Sequence, residues 1–242
     1  MYHNIKLLDN TYTNPNTPVI SETIVLKNTI VFLEKTLNKE FKNYTLQDLG
    51  CLDGGYSIEF AKKGFQTLGL EVRKTNYDNC LFLKNHFNLP NLEFVNEDVL
   101  NIKKFNSFDI TFCSGLLYHL ETPKSMLEQI TQNTNLILVL NTHYIDFDDN
   151  LEYVKQFNLS KTDEHEGLSG RWYTEFYNQE TYKNKDKYLL SSYNNTKSFW
   201  INKSDLIQTL YDLGYSLVLE DPKTSWRLES KGTCRSTFYC IK

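Results

Sequence analysis

Two acidic side chains and a glycine-rich turn stand where a nucleoside-bearing ligand can be held. Asp48 lies in the run Leu46–Gln47–Asp48–Leu49–Gly50–Cys51–Leu52–Asp53–Gly54–Gly55–Tyr56, and Glu71 follows in Leu68–Gly69–Leu70–Glu71–Val72. A short buried strand, a glycine turn and a helix start bring backbone N–H groups and a helix N-terminus to the edge of a sheet. A carboxylate at the end of the next strand can accept hydrogen bonds from the two vicinal hydroxyls of a ribose. Dinucleotide sites use G-x-G-x-x-G, whose middle glycine lets the backbone approach a pyrophosphate. Here the glycines run Gly50-x-x-x-Gly54–Gly55, and Leu52 stands in the middle position. Asp48, close to the strand end, suits an amino-acid ammonium group instead. The pattern therefore asks for a ligand with a ribose and an ammonium but no phosphate.

A second group of residues could do acid–base work. Gly115–Leu116–Leu117–Tyr118–His119–Leu120 follows the fourth expected strand, at the carboxyl edge of the sheet. His119 has a suitable ordinary pKa for a base that removes a proton from an attacking oxygen. The alternative is that it caps the helix begun by Pro123 or shapes the pocket. Tyr118 could orient an acceptor or pack beside the reacting centre. His143 closes the fifth strand and is a second base candidate, with a structural role as its alternative. Arg171 could hold an anionic substrate group, and Trp172 and Trp200 could stack on a ring or sugar face. Their plain alternative is hydrophobic anchoring of a long loop. His165, between Glu164 and Glu166, completes no metal motif, and no metal is expected.

The elements that must position these residues follow from periodicity. Ser21 precedes apolar positions Ile24, Val25, Ile30, Val31, Leu33 and Leu37, which predicts a helix capped by Ser21 and running to about residue 38. The irregular stretch before it makes residues 1–43 an N-terminal cap. From residue 44 strands and helices alternate. Strands are expected at 44–49, 67–72, 92–98, 108–114 and 135–142, with helices near 56–63, 75–87 and 123–133. Such alternation implies right-handed crossovers and a parallel sheet. A helix capped by Asn202 ends near Gly214. The candidate strands 215–220 and 236–241 could pair antiparallel at the sheet edge. Residues 144–199 are polar, aromatic and charged without a clear period, which marks a lid or substrate-binding insertion in a domain spanning 44–242.

With these residues in hand, the chain resembles the class I S-adenosylmethionine-dependent methyltransferases. The likeness runs in order through the Asp48 motif, Glu71, Asn96–Glu97–Asp98–Val99 and Phe108–Asp109–Ile110–Thr111–Phe112–Cys113–Ser114–Gly115. It implies an α/β, Rossmann-like three-layer sandwich whose seven-stranded sheet is mostly parallel with the last strand antiparallel. It also implies S-adenosylmethionine as cofactor. Gly50, Cys51 and Gly54 would contact its methionine portion, and Glu71 its ribose. Asp98 would accept from the adenine amino group between Val72 and Val99, and Cys113 would join the same site. Leu52 departs from the family glycine. The resemblance implies methyl transfer, and the net acidic charge, the aromatic 144–199 stretch and the nearby histidines point to a hydroxyl of a small-molecule or sugar-like acceptor. Phe112-x-Ser114–Gly115–Leu116–Leu117–Tyr118–His119 is also similar to the matching segment of wobble-uridine carboxymethyltransferases, which makes transfer RNA an alternative partner. A non-catalytic protein that binds S-adenosylmethionine is a second alternative.

Composition narrows the setting. The chain has 242 residues, 40% hydrophobic and 23% charged, enough for a substantial core. A net charge of −4 argues against a broad nucleic-acid surface, because phosphate contacts dominate such binding. Lys223, Arg227, Lys231, Arg235 and Lys242 outnumber Asp221 and Glu229 near the end, and read as a solvated basic tail. Five dispersed cysteines, with no C-x-x-C spacing and no secretory signal at Met1–Asn4, point to reduced thiols and a cytoplasmic protein. The longest apolar run, Leu136–Leu140, is too short to cross a membrane. Nothing in the sequence speaks to oligomeric state.

Overall fold

The computed structural model describes residues 1–146, 151–222 and 234–242. The alternating pattern folds as β1 (Thr45–Leu49), α2 (Gly55–Lys62), β2 (Gln66–Leu70), α3 (Lys74–Phe87), β3 (Leu92–Val95), β4 (Phe108–Ser114), α4 (Pro123–Gln132) and β5 (Thr134–His143), preceded by α1 (Ile24–Thr36). The chain continues through α5 (Leu151–Gln156), β6 (Thr162–His165), β7 (Leu168–Thr174), α6 (Gln179–Lys183), β8 (Lys197–Ile201), α7 (Lys203–Asp212), β9 (Leu217–Asp221) and β10 (Arg235–Ile241). Seven strands form one sheet in the order β3-β2-β1-β4-β5-β10-β9, parallel at the described β1–β2, β1–β4 and β2–β3 pairs and antiparallel at β10–β9. This is the Rossmann-like, mostly parallel sheet that the resemblance implies. The last strand does not take the edge: β10 lies between β5 and β9, and β9 is outermost. Four residues of β1 are buried, as a central parallel strand covered on both faces requires.

By its internal contacts the chain groups into two compact units. The first comprises residues 1–113 with 133–139, and the second 114–132 with 140–242. In the first unit, the chain leaves β1 toward β2 and β3 on one side and returns to β4 on the other. The carboxyl ends of β1 and β4 therefore open the crevice where such sheets hold ligands.

Two local expectations change. Ser21 is spent in a short 3-10 turn over Ile20–Glu22, and α1 starts after Thr23, whose hydroxyl donates back to Ile20 O at 2.8 Å instead of capping. Val25, Leu26, Ile30 and Leu33 form the buried face of α1, while Val31 is left 47% exposed on the other side. At α7 the Asn202 side chain makes no cap, and its Nδ2 donates to Ser169 Oγ at 2.9 Å. Asp205 Oδ2 accepts from Ser169 N at 2.7 Å, which ties the start of α7 to β7.

The stretch 144–199 is not featureless. Together with Trp200 and Ile201 it builds a second, antiparallel sheet in the order β6-β7-β8. Three of the four β6 residues are exposed, so no in-and-out alternation marks that strand in the sequence. Gly170 allows the tight pairing, since a Cβ there would stand 2.3 Å from Trp200 O.

Candidate active site

In the first unit, β1 delivers Asp48 to the crevice and the glycine turn follows at once. Gly50, Leu52 and Gly54 all have positive φ, at 67°, 56° and 78°. The backbone thus keeps the path of a three-glycine turn although the middle residue is leucine. The left-handed region costs a side-chain-bearing residue about 1–2 kcal/mol, so Leu52 holds strain that a glycine would not. Gly54 is restricted twice over, because a Cβ would also sit 2.6 Å from Phe94 Cζ.

Asp48 is 3% exposed and accepts from Ser57 Oγ at 2.6 Å. Burial pushes its pKa up to about 6, against the lowering effect of the Ser57 hydrogen bond and His3. Glu71, 4% exposed, takes Leu52 N at 3.0 Å on Oε2, and Arg73 N at 2.8 Å and Asn76 Nδ2 at 3.4 Å on Oε1. Burial raises its pKa, partly offset by the Arg73 N–H and charge. A carboxylate has about four lone-pair sites, so Glu71 ties the glycine turn to the start of α3 and keeps accepting capacity. Asn96 Nδ2 bridges Glu71 O and Val72 O at 2.8 and 2.9 Å. Asp98 caps the 3-10 turn Val99–Lys104 by accepting from Leu100 N at 3.0 Å, while Val99, Cys51 and Cys113 are buried.

The sequence reading missed the partner of the glycine turn. Asp53 accepts from Tyr2 N at 2.5 Å and His3 N at 3.1 Å, and the His3 ring faces it at 2.8 Å. Burial raises the Asp53 pKa, but these His3 and backbone interactions outweigh it and leave the carboxyl below its ordinary value. Gly55 N, the first backbone nitrogen of α2, lies 3.1 Å from the same ring nitrogen, His3 Nδ1. No spacing rule connects residue 3 to residue 53.

In the second unit, the stretch after β4 is held by the small sheet. Three successive carbonyls are satisfied from it: Tyr118 O by Trp200 Nε1 at 2.8 Å, His119 O by Asn195 Nδ2 at 3.1 Å and Leu120 O by Phe199 N at 3.0 Å. Tyr118 and His119 are partly buried, the His119 side chain 17% exposed. His119 Nδ1 lies 2.8 Å from Glu175 Oε1. The Tyr118 hydroxyl accepts from Arg235 Nη1 at 3.4 Å, and Arg235 Nε donates to buried Asn141 Oδ1 at 2.8 Å. Arg235 is therefore no free member of a solvated basic tail. Lys242 also turns inward, with Nζ on Thr131 O at 2.6 Å. Lys223, Arg227, Glu229 and Lys231 lie outside the described residues.

His143 stacks on Trp200 at 4.8 Å and meets the Tyr118 ring edge-on at 4.5 Å. Trp200 also stacks on Tyr173 at 5.2 Å and is 2% exposed. That burial corrects its reading as a stacking platform, since no open face is left for a substrate ring. Arg171 Nη1 donates to Ser160 O at 2.8 Å and Trp172 Nε1 to Asp163 Oδ2 at 2.9 Å, so both brace β6 against β7. Glu175, Arg235 and Asn141 were not singled out as site residues by sequence, because each finds its partner only through folding.

Among the described residues, no group of three or more His, Cys, Asp or Glu is placed to hold a metal ion, and no helix is long and apolar enough to cross a membrane. The model of a methyltransferase domain family matches residues 40–194, well over half of the chain. The chain belongs to this methyltransferase family. As a class I methyltransferase it uses S-adenosylmethionine, and the glycine turn with Asp48 and Glu71 suits that molecule. Solved methyltransferase structures agree on the fold. The N-terminal domain of EvdMO1, crystallised in the presence of S-adenosylhomocysteine (SAH) and D-fucose, is 20% identical with a TM-score of 0.64, covering 90% of this chain and 81% of that one. Magnesium protoporphyrin IX methyltransferase from Synechocystis, with bound SAH, is 14% identical with a TM-score of 0.59, covering 90% and 81%. A curated relative, tRNA U34 carboxymethyltransferase of Campylobacter lari, is 26% identical over 131 residues, or 52% of this chain and 45% of that protein. The methyltransferase thus spans under half the length of the curated relatives it matches.

Proposed function

We propose that this methyltransferase transfers a methyl group to a hydroxyl of a small, sugar-like molecule. The observation that carries the reading is the Tyr118–His119 pair on the stretch following β4, one side chain held by Arg235 and the other by Glu175. When bound, S-adenosylmethionine supplies a methyl made electrophilic by its sulfonium. Asp48 pairs with the cofactor's ammonium, and Gly50, Cys51, Gly54 and Cys113 line its methionine end. Glu71 accepts from the ribose hydroxyls, and Asp98, Val72 and Val99 hold the adenine. His119 takes the proton of the attacking hydroxyl at Nε2, Tyr118 orients the acceptor, and His143 with the neighbouring rings excludes water. Residues 1–43 and the 144–199 stretch cover the cofactor and select the acceptor, with Arg171 and Trp172 as residues that contact it. D-Fucose in the crystals of one fold relative supports a sugar-like acceptor. Five buried free thiols support a cytoplasmic setting.

The second reading, modification of a transfer RNA wobble uridine, is favoured by the three curated relatives of that name. One experiment separates the two. The protein is incubated with methyl-labelled S-adenosylmethionine and cell extract, and products are divided into low-mass and RNA fractions. Label on oxygen in a low-mass product is the expected result. Label in transfer RNA, or on nitrogen alone, overturns the acceptor assignment.

A further inference from the structure

Glu175 follows β7 at the opening of the connection to β8, and its side chain is 1% exposed with three polar partners. Oε2 accepts from Ser192 N at 3.0 Å. Oε1 accepts from Ser198 Oγ at 2.9 Å and lies 2.8 Å from His119 Nδ1. A backbone N–H can only donate, and an ionised carboxylate can only accept. These donors favour ionised Glu175, which in turn requires the proton of a neutral His119 to sit on Nδ1. Nε2 is then the nitrogen with the free lone pair.

The surroundings support a fixed geometry. Asn195 Nδ2 holds His119 O from the same connection, and the Ser192 hydroxyl in turn donates to Asn195 Oδ1. The groups facing His119 and Glu175 are the Tyr118 ring at 4.3 Å, with Arg235 beyond it, and Tyr173. Burial raises the Tyr173 phenol, and the Glu175 charge adds to that rise.

We propose that Glu175 is a positioning residue, which fixes the His119 ring with its proton on Nδ1 so that Nε2 serves as the base. The proposal rests on the reading of His119 as base. In the step it serves, the acceptor O–H bond gives its proton to Nε2 and the oxygen electron pair forms the new C–O bond. Bound S-adenosylmethionine would supply the methyl group, its sulfur taking up the electron pair of the broken S–CH3 bond as a neutral thioether. His119 becomes an imidazolium, and the adjacent carboxylate stabilises that charge. Leaving a general-base imidazole in the wrong tautomer lowers turnover by up to about 10^4-fold. The connection between β7 and β8 thereby becomes part of the catalytic apparatus as well as a cover for it.

The test begins with nitrogen NMR of His119 in the wild-type protein, a readout independent of turnover. A proton on Nδ1 with unprotonated Nε2, at pH above the ring's titration, is expected. Glu175→Gln should lower turnover of labelled methyl into the low-mass fraction of extract by about 10-fold or more, with affinity for SAH unchanged. Ser198→Ala, a milder change that keeps the carboxylate, should give a smaller loss, and it serves should Glu175→Gln fail to fold. A wild-type ring protonated on Nε2, or undiminished turnover in folded Glu175→Gln, overturns the proposal while leaving His119 as base. Undiminished turnover in His119→Ala overturns the base reading itself, and the role of Glu175 with it.

Discussion

Asp48 and Leu52 show how single residues carry the cofactor turn. Asp48 is buried and its pKa is raised to about 6. A folded-state pKa above the unfolded value means the stability contribution is complete below the unfolded pKa and lost as pH rises through the folded one. Stability should therefore decline between about pH 4 and pH 6, by roughly 3 kcal/mol for a shift of about two units. Asp48→Asn can still accept from Ser57 and should abolish that decline, as read from urea midpoints across this range. Equal slopes in both proteins would sink the assignment. Binding of SAH should show the opposite trend, tightening as pH rises through about 6, because an ammonium prefers the ionised carboxylate. For Leu52, at φ 56°, a β-branched residue is the poorest replacement. Leu52→Ile should lower stability, and Leu52→Gly, which removes a left-handed cost of about 1–2 kcal/mol, should fold with its SAH affinity retained. Thermal melts and calorimetric titration check both. The departure from glycine was readable in the sequence, whereas the unchanged backbone path was not. Only neighbours such as Glu71, which takes Leu52 N, hold a leucine in that conformation.

At the scale of elements, the alternating strands and helices were legible because buried parallel strands read as apolar runs and their crossovers as helical ones. The β6-β7-β8 sheet was not. β6 is polar and exposed, and the β7–β8 pairing is made by partners distant in sequence, such as Arg171 with Trp200 and Trp172 with Phe199. Trp200 is the element's main anchor, filling the space between His143 and Tyr173 and bonding Tyr118 O. Trp200→Ala should cost about 3–5 kcal/mol and reduce methyl transfer more than the stability loss alone accounts for. Turnover below the melting range, set beside the urea midpoint, measures both. Normal transfer from a destabilised variant would mean that the Tyr118–Leu120 stretch keeps its shape without the small sheet.

For the whole molecule, cofactor binding should appear as stability. SAH at a hundredfold excess over its Kd should add about 2.7 kcal/mol, while NAD, which needs the pyrophosphate approach that Leu52 opposes, should add nothing. An equal response to NAD would overturn the cofactor assignment. The sequence by itself determined the fold and the cofactor class, because the glycine turn, Asp48, Glu71 and the strand–helix alternation are local patterns with local physical causes. It also located Tyr118 and His119 by their position just after β4. Tertiary structure decided the rest: that Glu175 meets His119, that Arg235 meets both Tyr118 and Asn141, that Asp53 meets the N-terminal segment, and that Trp200 is a buried wall. Those pairs join residues 50 to 117 positions apart, and no periodicity encodes such a pairing. Burial and hydrogen-bond satisfaction, which act only once the chain is folded, select it.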